Sequence, residues 1–213
     1  MRSNAHHPDE LAAVVELATR YGVAIVSDEI HAPLTLPGAT FTPLLTVPGA
    51  AEIAVAVHST SKAWNLAGLR CAALVAGAPS MHAVLDGLPP DTRGRVGHLG
   101  ALATVAAYTG GGGWLDALLV ELRRALLARG DPARAAARDR LAPAGGHVPA
   151  WLDCRAVDTL GDVQERFLRD GRVAVEPGTR FGADTGGWVR LTFGTSSEIL
   201  DEALRRMAAA LGS

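Results

Sequence analysis

The chain has 213 residues and carries 20 Lys plus Arg against 22 Asp plus Glu, a net charge of −2. That length suffices for one sizeable domain or two small ones, and so even a charge balance excludes nucleic acid and anionic membrane surfaces as expected partners. No apolar run is long enough to span a bilayer, and the first residues lack the basic and hydrophobic regions of a signal peptide.

Two cysteines, Cys71 and Cys154, lie in apolar strand-like runs. They read as buried free thiols of a cytoplasmic protein, not as a disulfide or a metal pair. Ala-rich helices alternating with Gly/Pro-rich connections suit an α/β protein.

In chain order, His6 and His7 read as an exposed turn, because adjacent side chains diverge and no third ligand is near. Pro8-Asp9-Glu10 opens a helix that runs through Leu11, Val14, Val15 and Leu17 to Tyr21, and Gly22 ends it. A short buried strand, Val23 to Val26, then delivers Ser27-Asp28-Glu29-Ile30-His31. A helix, a glycine and a strand ending in acids form an α/β unit with a candidate site at the strand's carboxyl edge. On its residues alone Asp28 is a site carboxylate or a turn cap. Glu29 reads as a solvated or capping acid, and His31 as a site, capping or core histidine. Residues 33–48 hold four prolines and little periodicity, so an extended surface loop is expected there.

Ile53 to Val57 reads as a buried strand. It leads into Ser59-Thr60-Ser61-Lys62-Ala63-Trp64-Asn65-Leu66-Ala67-Gly68-Leu69-Arg70. Lys62 is the only lysine; every other basic residue is arginine. Guanidinium stays protonated, whereas a lysine amine can lose its proton and attack a carbonyl, so Lys62 is a candidate nucleophile. Hydroxyls at Ser59, Thr60 and Ser61 and the cation at Arg70 could surround one anionic ligand with it. Cys71 to Ala76 reads as another buried strand, ended by Gly77.

Val96 to Tyr108 is an Ala-rich helix, with His98 as a polar residue at its start. Thr109 and the glycines 110–113 do not make a phosphate loop, since no Lys-Ser/Thr follows and a helix precedes them; a helix-terminating loop is expected. Trp114 starts a long helix with leucines at helical spacing, broken at Asp131-Pro132, after which an Arg/Ala-rich helix reaches Leu141. The composition changes at Pro143 to Gly146, giving expected domains of 1–142 and 143–213. Beyond it come a strand at Ala150 to Cys154, a helix at Gly161 to Arg169, a short extended piece at Val173 to Val175 and a strand at Trp188 to Phe193. Ser196-Ser197-Glu198 caps a last helix, Ile199 to Leu211. This order fits a small α+β domain.

The segment from Ser59 to Arg70, with Ser-x-Ser-Lys-x-x-x-Leu-x-Gly-Leu-Arg, resembles the lysine motif of the class I/II aminotransferase superfamily, pyridoxal-phosphate enzymes of fold type I. Ser-Asp-Glu-Ile-His resembles that family's Asp-Glu-x-(Tyr/His) segment. Histidine in the last place points to the C–S lyase branch that includes cystathionine β-lyase-like proteins. Arg190-Leu191-Thr192-Phe193 resembles its Arg-Leu-x-Phe, and Val175 to Gly178 with Phe181-Gly182 resembles the loop near its site. The resemblance covers the whole chain but only the C-terminal part of the family's length: part of the large domain, then the small domain.

What the resemblance implies is a pyridoxal 5'-phosphate enzyme acting on an amino acid, a β-C–S lyase or an aminotransferase. Lys62 would carry the cofactor as an aldimine and serve as base. Asp28 would pair with the ring nitrogen, His31 would lie near the phenolic oxygen, and Ser59 and Arg70 would bind phosphate. Arg190 would bind the substrate α-carboxylate; a cross-strand surface pair is the alternative for that residue. A homodimer is implied as well. The reading from a different class is a non-catalytic aminotransferase-like module for cofactor binding, regulation or assembly.

Overall fold

The computed structural model describes residues 6–36, 38–127, 149–157 and 163–212. Two compact units result, one ending at Leu119 and the other starting at Val120.

In the first unit, helix α1 (Pro8–Tyr21) starts where Pro8 needs no amide donor, and the Glu10 carboxylate accepts the His7 amide at 2.9 Å. It stops at Gly22, whose φ of 64° turns the chain so that the Val23 amide returns to the Ala18 carbonyl at 2.8 Å. Strands β1 (Ile25–Asp28), β2 (Ala54–His58) and β3 (Ala73–Ala76) form a sheet in the order β1-β2-β3. β1 runs parallel to β2, with Asp28 beside Val57; β3 runs antiparallel to β2, with His58 beside Ala73. β2 is the central strand, and Ala54, Val55 and Ala56 are all buried. β1 alternates half-buried Ile25 and Ser27 with exposed Val26 and Asp28, the period-two pattern of a strand covered on one face.

The core of this unit is Val15 of α1 packed with Leu44, Val47, Ala50 and Ala54, flanked by Leu11, Ile25, Leu45 and Ile53. The surface loop expected at 33–48 is therefore corrected. It folds into tight turns at Ala32–Leu34 and Leu44–Thr46, and Leu34, Leu36, Leu44 and Val47 are buried. Prolines deny the segment a helix, but its apolar side chains still have a face of the unit to cover.

After β3 come two short helices that the sequence pattern did not announce, α2 (Pro79–Asp86) and α3 (Pro90–Gly94), then α4 (His98–Gly110) and α5 (Gly112–Leu127). The expected glycine loop is also corrected. Gly111 alone separates α4 from α5, and Gly112 and Gly113 belong to α5.

In the second unit, β4 (Pro149–Asp153), α6 (Val163–Arg169), β5 (Glu176–Pro177), β6 (Trp188–Thr192) and α7 (Ser197–Leu211) follow the expected order. The sheet is antiparallel with β6 central, in the order β4-β6-β5. α7 buries Leu200, Leu204, Met207 and Ala210, one stripe at helical spacing, and the Ser196 hydroxyl accepts the Ile199 amide at 3.4 Å to cap it. Phe167 of α6 and Val189 of β6 are almost wholly buried. The Asp131-Pro132 break, the helix to Leu141 and the boundary at Pro143 to Gly146 lie outside the described residues. Cys71 and Cys154 form no disulfide among the described residues; Cys154 is buried, but Cys71 is only half-buried, and β3 after it is mostly exposed, against the buried strand expected there.

The junction of α4 and α5 is where steric limits are tightest. A Cβ at Gly111 would stand 2.4 Å from Trp64 Nε1 and 2.6 Å from the Ala107 carbonyl, whereas one at Gly113 would meet nothing within 4 Å. Gly111→Ala is expected to destabilise by about 1–3 kcal/mol through overpacking. Gly113→Ala, in the first turn of α5, should be neutral or stabilise by about 0.5–1 kcal/mol. Urea unfolding of the two variants measures both, and equal stabilities would show that Trp64 does not close on Gly111.

Candidate active site

Because β1 and β2 are parallel, their carboxyl ends reach the same edge of the sheet, and the antiparallel β3 starts there. That single edge collects Asp28 to His31, His58 to Lys62, and Arg70. Ligands of α/β sheets bind at such an edge. Five of the six residues singled out in the sequence are thus brought together: Asp28, His31, Ser59, Lys62 and Arg70. The sixth, Arg190, stands in the second unit.

Asp28 is the last residue of β1 and is exposed; its Oδ1 accepts the Ile30 amide at 3.2 Å. The turn-capping role and an outward carboxylate therefore coexist in one residue. His31 is half-buried and opens the turn at Ala32–Leu34.

Glu29 overturns its expected role as a solvated or capping acid. It is 3% exposed. Its Oε1 accepts the Leu44 amide at 2.8 Å and the Ser27 hydroxyl at 3.0 Å, and Oε2 lies 3.5 Å from His58 Nε2. A carboxylate this deep is retained only where donors and polar groups face it. Glu29 thereby ties the end of β1, the end of β2 and the turn at Leu44 together. The residues themselves do not announce this tie, since Leu44 lies fifteen positions away and His58 on the next strand.

Ser59 is buried. Its hydroxyl donates to the Cys71 carbonyl at 2.6 Å and accepts the Ser61 amide at 3.1 Å, so it closes the loop between β2 and β3. Thr60 is also buried, with its hydroxyl 3.2 Å from that of Thr104 on α4. Two residues past Lys62, the Trp64 indole donates to the Gly111 carbonyl at 2.9 Å and meets Tyr108 edge to face at 5.2 Å. Burial raises the Tyr108 phenol above its ordinary range. α4 presses on the far end of the loop as well: a Cβ at Gly100 would stand 2.6 Å from the Leu69 carbonyl.

Between these anchors Lys62 is exposed, as is Arg70. Neither side chain makes a hydrogen bond or ion pair among the described residues. Asn65 and Arg70 both hold left-handed backbones, at φ 56° and 49°. That conformation is costly for residues with a Cβ and is tolerated where the surroundings enforce it, often at functional sites.

In the second unit Arg190 on β6 stands directly opposite Glu176 on β5, and its Nη2 contacts Glu176 Oε2. The cross-strand pair weighed as the alternative for Arg190 is therefore present. The guanidinium also lies over the Phe181 ring, 4.6 Å from its centroid, and Phe181 meets Trp151 edge to face at 5.2 Å.

The amine and guanidinium, unpaired among the described residues, share one sheet edge with the Asp28 carboxylate, and such groups can take a phosphorylated carbonyl compound. Residues 4–207 match the family model for aminotransferase class I and II. The chain belongs to that family. It is 43% identical over 223 residues to a Mycobacterium leprae (strain TN) protein that carries the provisional name of cystathionine beta-lyase, covering 98% of this chain and 55% of the relative. Identity to the cystathionine beta-lyase PatB of Bacillus subtilis (strain 168) is 32%, over 98% of this chain and 57% of PatB. A crystal structure from Corynebacterium diphtheriae, provisionally named a PLP-dependent beta-cystathionase, superposes with a TM-score of 0.90 at 32% identity, covering 99% of this chain and 56% of that one. The chain thus spans little more than half the length of these aminotransferase-family relatives.

Glu29 supplies the stability test of this edge. Glu29→Ala leaves the Leu44 amide without its acceptor and His58 without its buried partner, so a loss of about 3 kcal/mol is expected. Glu29→Gln keeps an acceptor oxygen and should lose less. Denaturant melts of both would measure the difference, and a loss below 1 kcal/mol for the alanine variant would show that the carboxylate is not a structural tie.

Proposed function

We propose that the chain is part of a pyridoxal 5'-phosphate-dependent enzyme that acts on amino acids, a β-C–S lyase of the cystathionine or cysteine-conjugate type. One observation carries the reading: the sole lysine stands exposed and unpaired where β2 ends, on the edge that also presents Asp28 and an unpaired Arg70. The names of the relatives at 32% identity and above support the same reaction.

The residues fit the cofactor by their chemistry. Arg70 has no carboxylate partner among the described residues, so its fork is available to a phosphate, and its left-handed backbone fixes where it starts from. Ser59 belongs to the phosphate side, though a donated bond from it would require its proton to leave the Cys71 carbonyl. Asp28 would keep a ring nitrogen protonated, with His31 on the side of the phenolic oxygen. Bound there, the cofactor supplies an electron sink for the pair left on the substrate's α-carbon.

The chain's own residues do the rest. Lys62 would hold the cofactor and, once free of it, would take the proton from the substrate's α-carbon. The β-carbon–sulfur bond then breaks, and the thiol leaves with pyruvate and ammonia as the other products after hydrolysis. Arg190 holds the substrate α-carboxylate. The same residues could serve amino transfer to an oxo acid; His31, in a place where many aminotransferases of this family carry tyrosine, favours the lyase. Homodimerisation, a cytoplasmic location and a domain boundary at 142/143 belong to the same proposal. Among the described residues no helix is long and apolar enough to cross a membrane.

Titration of the chain with pyridoxal phosphate should give a saturable visible band, fixed by borohydride onto Lys62 and absent in Lys62→Ala. Turnover of a cysteine conjugate to thiol and pyruvate should fall about a thousandfold or more in that variant. No band in folded protein would sink the cofactor reading and leave the non-catalytic module. A band with amino transfer but no thiol release would sink the lyase and keep the cofactor.

A further inference from the structure

Arg190 already holds a carboxylate, that of Glu176. We propose that Glu176 is an internal competitor that sets how tightly Arg190 takes a substrate carboxylate, which rests on the reading of Arg190 given above. The geometry separates what is fixed from what can exchange. The guanidinium plane is held by the Phe181 face 4.6 Å away, and Phe181 is held in turn by Trp151. Glu176, by contrast, has two cations within reach: its Oε2 meets Arg190 Nη2, and its Oε1 lies 4.0 Å from Arg180 Nη1.

Glu176 has its Oε2 buried against Arg190, whereas Arg180 is exposed, so moving the carboxylate from Arg190 to Arg180 carries it toward water and adds no desolvation. An α-carboxylate offers the fork both of its oxygens at once, whereas the Glu176 carboxylate is shared between Arg190 and Arg180. The free amino acid therefore displaces Glu176, and Arg180 receives it. Ligands without a negative carboxylate, such as amides and esters, leave the pair closed. Glu176 thus acts on affinity and selectivity and takes no part in bond breaking.

The test uses the full chain labelled with 15N-arginine, propionate as the probe and propionamide as the control. The guanidinium resonance lost in Arg190→Gln identifies Arg190. In Glu176→Gln, propionate should shift that resonance with an affinity about threefold tighter than in the wild type, the scale of one part-exposed ion pair. Arg180→Gln should weaken it, since Glu176 then has nowhere else to go. Glu176→Asp, which withdraws the carboxylate by one methylene, should lie between wild type and Glu176→Gln and serves if the glutamine variant does not fold. With a cysteine conjugate as substrate, Glu176→Gln should lower KM by a similar factor and leave kcat unchanged. Equal or weaker propionate binding in Glu176→Gln, with Arg190 still responding, overturns the proposal and keeps Arg190 as the carboxylate site. No response of Arg190 to propionate in any variant overturns the reading of Arg190 and the proposal with it.

Discussion

The parallel register of β1 on β2 is the constraint from which the site follows. With Asp28 beside Val57, the next residues on each strand leave the sheet together, and the Glu29 amide still donates to the Val57 carbonyl at 3.0 Å. The Glu29 carboxylate then fastens that exit. Taking a carboxylate out of water costs several kcal/mol, and it is offset here by two hydrogen bonds and by the His58 imidazole. A slip of one residue between the strands would turn every side chain of β1 to the opposite face and move Glu29 away from all three partners. Register, burial and charge therefore enforce one another.

The lysine loop is held in the same manner at points on either side of its functional groups. Ser59 and Thr60 are pinned before Lys62, and Trp64 after it; α4 closes on the Leu69 carbonyl just before Arg70. What stays outside these anchors is the amine and the guanidinium. Elsewhere arginines are neutralised locally: Arg124 by Glu121, Arg155 by Asp153, and Arg205 and Arg206 by Glu202. Glu202 is pulled down to about 2, first by the hydrogen bond from Arg205 and then by that from Arg206. Lys62 and Arg70 make no such pair among the described residues, and both belong to the sheet edge that carries the candidate site.

Much of this was legible because it is local. α1, β2, β6 and α7 announce themselves by period and caps, and the Lys62 segment by its composition. What was not legible depends on contacts distant in sequence. Glu29 is indistinguishable from a surface acid until Leu44 and His58 are placed around it. The proline-rich run of 33–48 conceals its buried leucines because they follow no regular period. α2 and α3 are too short for periodicity to stand out. In the glycine run, Gly111 looks like loop until Trp64 is seen to need the space. Arg190 could be placed on a strand, but its partner Glu176 lies across a connection whose register the residues do not declare.

The two anion sites of the proposed enzyme differ in a way that matches their tasks. At the carboxyl end of β2, Lys62 and Arg70 have no carboxylate partner among the described residues, so a phosphate bound there as proposed would meet no competitor from them. At Arg190 the cation is already satisfied by Glu176, so an arriving carboxylate gains only the difference between two ion pairs. Standing charge suits a group that must remain through many turnovers; an exchangeable partner suits one that must depart after each. Replacing charge at the first site would be felt as loss of the cofactor. At the second it would be felt as a change in how readily substrate enters and leaves, because the energy of binding there is a balance and not a sum.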